Sequence, residues 1–115
     1  MISYQIHISL KKNIEIQIGQ LGIFKFPRGL YIYSGSAKKN IDQRIKRHLL
    51  QSKKLFWHID YFLANKDTEI IKIEKKNISE CDLNKNTKGK SIVCGFGSSD
   101  CINNCKSHLI YKKNN

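Results

Sequence analysis

The sequence predicts a small α/β domain of the α+β type, in which helices flank a mainly antiparallel central sheet of three strands and an extra hairpin segment is added. Apolar and polar residues alternate near the N-terminus and again around residues 30 and 70. Between these segments, apolar residues recur at every fourth position, as in an amphipathic helix. Because 115 residues suffice for one modest core, we interpret residues 1–115 as a single domain.

The N-terminal part of the chain predicts strands. Residues Tyr4–Leu10 alternate between apolar and polar, and Ile14–Ile18 repeat the pattern. The polar residues 11–13 between them predict a turn, so the two strands are expected to form a hairpin. Residues 23–26 predict a short extension before Pro27, the one proline of the chain.

The next strand and helix carry the residues of greatest interest. The strand covers residues 30–35, and its alternation places Tyr33 and Gly35 on the same face. The helix begins after Asn40, a favourable N-cap residue. Its apolar stripe is formed by Ile41, Ile45 and Leu49, with Arg44 and His48 one turn apart on the border of that stripe.

The second half of the chain alternates helices and strands. A buried helix is predicted over Phe56–Ala64 and a strand over Glu69–Glu74. A short helix is expected to begin near Ser79, because serine is a good cap. The Gly- and Ser-rich residues 89–99 predict a loop, and His108–Tyr111 predicts a final short strand.

The charge of the chain favours a polyanionic partner. Lys and Arg number 21 against 9 acidic residues, which gives a formal net charge of +12. Such an excess favours nucleic acid first and an anionic membrane surface second. No apolar run approaches the roughly 18 residues that span a bilayer, and the first ten residues lack the pattern of a signal peptide, so a cytoplasmic location is expected.

Many of the basic residues surround Arg44 in sequence. Such a ring would attract a phosphate backbone without reading its sequence, and neighbouring aromatic residues could stack on unpaired bases of single-stranded or branched DNA. The candidate nucleic-acid-binding residues are Lys38, Lys39, Lys46, Arg47, Lys53 and Lys54.

The four cysteines allow several interpretations. Without a secretion signal, reduced or metal-bound thiols are expected rather than a disulfide framework. Cys101, Cys105 and His108 form a C-x3-C-x2-H pattern that could bind zinc, with Cys81 or Cys94 as a fourth ligand. The alternatives are small apolar core residues and a disulfide between Cys101 and Cys105.

The order of these residues resembles the GIY-YIG nuclease superfamily. Tyr33-Ser34-Gly35 resembles its second Tyr motif, and Ile2-Ser3-Tyr4 stands for the first, with the usual glycine replaced. Arg44 follows Gly35 by nine residues, as the family's catalytic arginine does, and His48 follows one turn later. Glu80 corresponds to the family's single metal ligand. The resemblance implies one-step, one-metal hydrolysis of DNA phosphodiester bonds.

A stand-alone branch of that superfamily, labelled URI-type or GIY-YIG-like and of uncharacterised function, is similar to this chain almost throughout. The resembling segments are residues 29–37, 44–48, 57–61, 80–81, 95–101 and 107–109.

The chemistry of these residues agrees with the implied activity. A planar guanidinium suits phosphate oxygens, which gives Arg44 its expected role. Glu80 would hold Mg²⁺ or Mn²⁺, although a carboxylate in a first helical turn also simply favours the helix dipole. Tyr33 or Tyr4 would orient or deprotonate the attacking water, and His48 would relay a proton.

The segment Trp57–Tyr61 is dense in polar and aromatic side chains. We favour a buried helix in which Asp60 accepts hydrogen bonds that fix a neighbouring loop. The alternative is a wall that faces the substrate, and His58 could reach the site in either case.

The sequence therefore predicts a metal-dependent DNA endonuclease, with a role in DNA repair or processing. One alternative is a nucleic-acid-binding module that kept the fold and lost the chemistry, which the altered first motif would suit. A further alternative is a zinc-stabilised scaffold of a larger complex.

Overall fold

The computed structural model describes residues 2–37, 40–50, 55, 57–78, 84, 87, 89–93, 96 and 107–113. The elements in these ranges are β1 (Ile2–Leu10), β2 (Ile14–Ile18), β3 (Gly22–Phe26), β4 (Gly29–Ala37), α1 (Ile41–Leu49), α2 (His58–Leu63), β5 (Thr68–Lys76), β6 (Lys90–Ser91) and β7 (Leu109–Lys113).

Within the described ranges, five strands form one antiparallel sheet in the order β5-β1-β4-β7-β6, and β2 and β3 form a separate hairpin. The α+β class is therefore confirmed, whereas the prediction of a three-stranded sheet is wrong. The short β6 and the final β7 extend the sheet beyond β4. The strand of β7 was predicted from the sequence but its place in the sheet was not, and β6 was expected to be a loop. In the same described ranges, no helix is long and apolar enough to cross a membrane.

The predicted hairpin between β1 and β2 is also wrong. Strand β1 lies inside the sheet, paired on one side with β4 and on the other with β5. Strand β2 pairs instead with β3, from Ile14 opposite Phe26 to Ile18 opposite Gly22. The turn between them uses Gly19, whose φ is 50°, and a hydrogen bond from Leu21 N–H to the Ile18 carbonyl.

One face of the sheet forms the core; we call it the helix-covered face. The alternation along β1 sends Tyr4, Ile6 and Ile8 to this face, and all three are buried. Helix α2 contributes Ile59 and Phe62 to the same core. Aromatic side chains fill its centre at tilted and edge-on angles: Phe26, Tyr31, Phe62 and Phe96.

The opposite face of the sheet carries buried polar side chains where the start of β1 pairs with the end of β4. Ser3 is fully buried and donates a hydrogen bond to the Ile78 carbonyl. The amide of Gln5 lies 3.3 Å from Ser34 Oγ and 2.7 Å from Thr87 Oγ1. The segment after β5 is therefore attached to this face by hydrogen bonds between neutral groups.

Helix α1 begins where expected but turns a different side to the core. Asn40 is the N-cap, in a left-handed conformation with φ 60°, and its side chain makes no capping hydrogen bond. Ile41 and Ile45 are partly buried as predicted, but Leu49 is 49% exposed, whereas His48 is buried at 2%. The apolar stripe placed Leu49 inward, and a polar contact of His48 overrides it.

The remaining elements differ from the predictions mainly at their ends. Helix α2 is shorter than the predicted Phe56–Ala64, and Phe56 lies outside the described residues. The residues 90–91, expected in a loop, form β6, and β7 starts one residue after the predicted His108. The helix predicted near Ser79 lies outside the described residues.

Candidate active site

A tyrosine and a histidine meet beneath α1. Tyr4 points to the helix-covered face from β1, and its hydroxyl oxygen lies 2.8 Å from Nε2 of His48. Both side chains are 2% exposed. The bond joins residues 44 positions apart in the chain, and it explains why His48 replaces Leu49 on the inner side of α1. A buried hydrogen bond between two titratable groups is suited to moving a proton.

Gly35 provides the space for the Tyr4 ring. The two residues are partners across β1 and β4. A Cβ at Gly35 would lie 2.6 Å from both Cζ and the hydroxyl oxygen of Tyr4, far inside contact distance. The glycine of the second Tyr motif therefore has a steric role: it lets the phenol lie flat over the neighbouring strand.

Tyr33 stands beside this pair on the same face. It is 8% exposed, and its ring centre lies 6.1 Å from that of His48. The Tyr4 ring centre lies 5.5 Å from His48. The imidazole is therefore in contact range of both predicted catalytic tyrosines, and the structure brings Tyr4, Tyr33 and His48 together.

Arg44 lies one helical turn before His48, at the end of β4. Its Nη1 donates a hydrogen bond of 2.6 Å to the Ser36 carbonyl. Its guanidinium carbon lies 4.8 Å from the centre of the Trp57 ring. A guanidinium has five N–H donors, so those not used by Ser36 are suited to phosphate oxygens. The charge of Arg44 is therefore held between the end of β4 and the Trp57 ring.

Arg47 occupies a different place from the one its sequence position indicated. Its two terminal nitrogens each lie 2.9 Å from an oxygen of Asp60, in a bidentate ion pair. Asp60 is fully buried, and Arg47 is 28% exposed. Lys46, the adjacent basic residue, is exposed on α1. Of these two candidate nucleic-acid-binding residues, Lys46 points to solvent and Arg47 is held against the protein.

The sequence predicts that Asp60 accepts hydrogen bonds within a buried helix. In addition to the ion pair with Arg47, it accepts a hydrogen bond of 2.8 Å from the Trp57 backbone N–H. His58 is half-buried with its ring centre 5.7 Å from that of Phe96. His108 is buried and joined through its backbone to Ser34 and Phe96. Neither histidine contacts the Tyr4–His48 pair through a hydrogen bond that the structure describes.

Several predicted site residues lie outside the described residues. They are the metal-ligand candidate Glu80, the basic residues Lys38, Lys39, Lys53 and Lys54, and the thiols Cys81, Cys94, Cys101 and Cys105.

A divalent metal would need a carboxylate near Arg44. Asp42, in the first turn of α1, forms an ion pair with Lys75, which lowers the pKa of that carboxyl. Asp60 is engaged by Arg47. Among the described residues, no group of three His, Cys, Asp or Glu side chains could hold a metal ion. Glu80, the predicted ligand, lies outside the described residues, so its role stays a prediction.

Tyr31 and Tyr4 lie on the same face of the sheet, but their hydroxyl groups have different partners. The Tyr31 hydroxyl donates to the Pro27 carbonyl. Burial, with the nearby Tyr111 adding to it, raises the pKa of Tyr31 far above its ordinary value. Tyr31 therefore serves the core as a neutral donor, whereas Tyr4 is bonded to a group that can take its proton.

A cavity of about 470 Å³ lies at the C-terminal end of α1. Its wall includes His48, Leu63, Lys66 and Thr68. His48 therefore contributes both to the wall of this cavity and to the contact with Tyr4.

Sequence reasoning missed Trp57 as an individual site residue. Its ring is shared by Arg44 and by Arg47, whose guanidinium carbon lies 4.4 Å from the ring centre. The sequence feature that could have identified Trp57 is its position directly before α2, because the buried Asp60 in that helix needs a cationic partner nearby.

Comparison with known proteins identifies a family. The model of the family described as domain of unknown function DUF123 matches residues 3–115. No curated protein and no solved structure matches the chain. The match covers nearly all of the sequence, and the chain belongs to the DUF123 family.

Proposed function

We propose that this protein is a GIY-YIG-type, metal-dependent endonuclease that hydrolyses DNA phosphodiester bonds, acting in the cytoplasm in DNA repair or processing. The observation that carries the proposal is the buried 2.8 Å hydrogen bond between Tyr4 and His48, with the Arg44 guanidinium one helical turn away. A phosphodiesterase needs a proton acceptor for water and a cation for the developing charge, and these residues supply both.

In the proposed reaction, a water oxygen attacks phosphorus as the bond to the leaving oxygen breaks. The Tyr4–His48 pair takes the proton of the attacking water, and the leaving oxygen takes a proton from solvent. Tyr33, beside His48, orients the water. His48 accepts the proton that the Tyr4 hydroxyl gives up as it takes one from water.

Arg44 binds the two non-bridging oxygens of the phosphodiester and opposes the charge that gathers on them. Its hydrogen bond to the Ser36 carbonyl fixes the guanidinium before the substrate arrives, which avoids reorganisation during the reaction. A Mg²⁺ or Mn²⁺ ion held by Glu80 would supply further charge neutralisation.

The charge of the chain supports a nucleic-acid substrate. The net charge of +12 and the exposed Lys46 on α1 favour a polyanion near Arg44. Such contacts go to phosphates, so we expect little sequence preference and a strong dependence on salt.

The proposal is tested by cleavage of labelled single-stranded, duplex and branched DNA with Mg²⁺ or Mn²⁺. Arg44→Ala is expected to lower the cleavage rate by about 10²- to 10³-fold, because it removes a fixed cation from the transition state. Arg44→Lys should recover only part of that loss, because an ammonium lacks the planar fork. Gln43→Ala, an exposed neighbour on α1, serves as the matched control.

Glu80→Ala is expected to abolish metal-dependent cleavage while DNA affinity in chelator is retained. A different result would contradict the proposal: no cutting of any substrate, with salt-sensitive DNA binding by the wild type and all variants. That outcome would assign the chain to the binding-module class.

A further inference from the structure

Trp57 is the single tryptophan of the chain, and three site residues surround its ring. The guanidinium carbons of Arg44 and Arg47 lie 4.8 and 4.4 Å from the ring centre. The ring centre of His48 lies 5.6 Å away. The Trp57 indole therefore contacts both Arg44, the proposed phosphate-binding residue, and His48, the proposed proton relay.

Asp60 holds the backbone of Trp57 in place. This carboxylate accepts the Trp57 backbone N–H at 2.8 Å, in the manner of a capping residue at the start of α2. The same carboxylate receives both terminal nitrogens of Arg47 at 2.9 Å. Asp60 thereby connects α2 to α1, and it holds Trp57 at its backbone while Arg47 contacts its ring.

The charges of this cluster explain why both arginines can approach one ring. Two guanidinium groups on the same indole repel each other, and a fully buried carboxylate that pairs with one of them offsets that repulsion. The sum of Arg44, Arg47 and Asp60 leaves one positive charge. Because Arg47 is paired with Asp60, the uncompensated charge of these three groups is that of Arg44.

We infer that Trp57, held by the Arg47–Asp60 ion pair, is a positioning residue that sets the Arg44 guanidinium for phosphate binding. The inference rests on the proposed function. An indole face attracts a guanidinium without using its N–H groups, so the contact restrains Arg44 and leaves its donors available. Together with the Ser36 carbonyl, it restrains the guanidinium both from its face and at one of its nitrogens.

The test compares Trp57→Leu and Trp57→Phe in steady-state cleavage of DNA at saturating metal. Trp57→Leu removes the aromatic face and is expected to lower kcat by about ten- to a hundredfold, with KM changed by less than about threefold. Trp57→Phe keeps an aromatic face and should restore most of the rate. Thermal melts of the variants, followed by circular dichroism, establish that both are folded.

A double-mutant cycle separates positioning from a general structural role. If Trp57 acts through Arg44, Trp57→Leu causes no further loss in the Arg44→Ala background. Arg47→Lys provides a second variant that keeps the charge next to Asp60 but loses the bidentate fork. It should lower kcat by about three- to tenfold, again only when Arg44 is present.

Two results would overturn the inference, and they are distinguishable. A folded Trp57→Leu variant that cleaves like the wild type, or whose loss is the same in both backgrounds, rejects the positioning role and leaves the nuclease intact. Failure of the wild type to cleave any substrate rejects the proposed function, and the inference with it.

Discussion

On the helix-covered face of β1, the Tyr4 hydroxyl lies 2.8 Å from His48 Nε2; on the opposite face, one residue along, the Gln5 amide lies 2.7 Å from Thr87 Oγ1. Both contacts join β1 to a distant segment, and both involve buried side chains of β1. They differ in that tyrosine and histidine exchange protons, whereas an amide and a hydroxyl do not.

Burial and hydrogen bonding alone therefore do not identify a catalytic residue, because side chains on both faces have both properties. The opposite face carries neutral groups that fasten the segment after β5 to the sheet. The helix-covered face carries titratable groups beside a fixed cation. We therefore expect substitutions on the helix-covered face to change activity strongly. Substitutions on the opposite face should change mainly the free energy of unfolding.

The largest expected effect is that of Tyr4→Phe. It removes the hydroxyl that takes the proton from water and should lower the cleavage rate by about 10²- to 10⁴-fold. It also leaves Nε2 of His48 without that partner, which costs about 1–3 kcal/mol in the free energy of unfolding. The rate is measured on labelled DNA and the stability by urea denaturation. A folded Tyr4→Phe variant with wild-type rate would show that Tyr4 is a core residue.

Gly35→Ala should break the Tyr4–His48 pair without replacing either partner. The added methyl group would overlap the Tyr4 ring, which must shift away from His48. We expect about 1–3 kcal/mol of destabilisation, in the range of overpacked cores, together with a large loss of cleavage. In a double-mutant cycle, Gly35→Ala and Tyr4→Phe should lower the rate together about as much as the more harmful one alone. Additive losses would contradict this coupling.

Ser34→Ala tests the opposite face, because Ser34 lies between the two motif residues Tyr33 and Gly35 but points away from them. It removes an acceptor 3.3 Å from the Gln5 amide, and we expect about 1 kcal/mol of destabilisation. The cleavage rate of the folded variant should match that of the wild type. A rate loss as large as that of Tyr4→Phe would remove the distinction between the two faces.

The smallest expected effect is the pH dependence at Glu74. Its hydrogen bond from Lys72 lowers its pKa most, partly opposed by desolvation, with Lys76 and His7 adding to the lowering. A lowered pKa in the folded state stabilises the protein above the ordinary value of 4.5, and this contribution is lost as the pH falls through the lowered pKa. Denaturation at pH 7 and at pH 3 should show that Glu74→Gln loses more stability relative to the wild type at pH 7 than at pH 3. An equal difference at both pH values would contradict the assignment.

Much of the fold could be predicted from local patterns. The alternation along β1 and β4 gave the correct faces, and the four-residue spacing in α1 gave a helix that begins at Ile41. The pairing of strands could not be predicted in the same way. Residues 11–13 have the composition of a hairpin turn, yet β1 lies between β4 and β5, and nothing local distinguishes a tight turn from a connection of similar length.

Most residues of the candidate site could be predicted from the sequence, whereas the contacts between them could not. The family resemblance named Tyr4, Tyr33 and His48, which the structure brings together. It also named Arg44, which lies one helical turn before His48 on α1. It did not show that Arg47 pairs with Asp60, because the partners are thirteen residues apart on different helices. A buried aspartate in an apolar helix does require a partner, so that ion pair had a signal in the sequence, although not its identity.

The order of the strands has a consequence for the protein at high concentration. In the described sheet, the outermost strands are β5 and the two-residue β6. Strand β5 is interrupted by an irregular register opposite His7 and Ile8, and it carries the exposed Lys72, Lys75 and Lys76. Short length, a bulge and clustered lysines are the devices by which natural sheets discourage intermolecular strand addition. Neither margin is therefore a good template for the growth of aggregates.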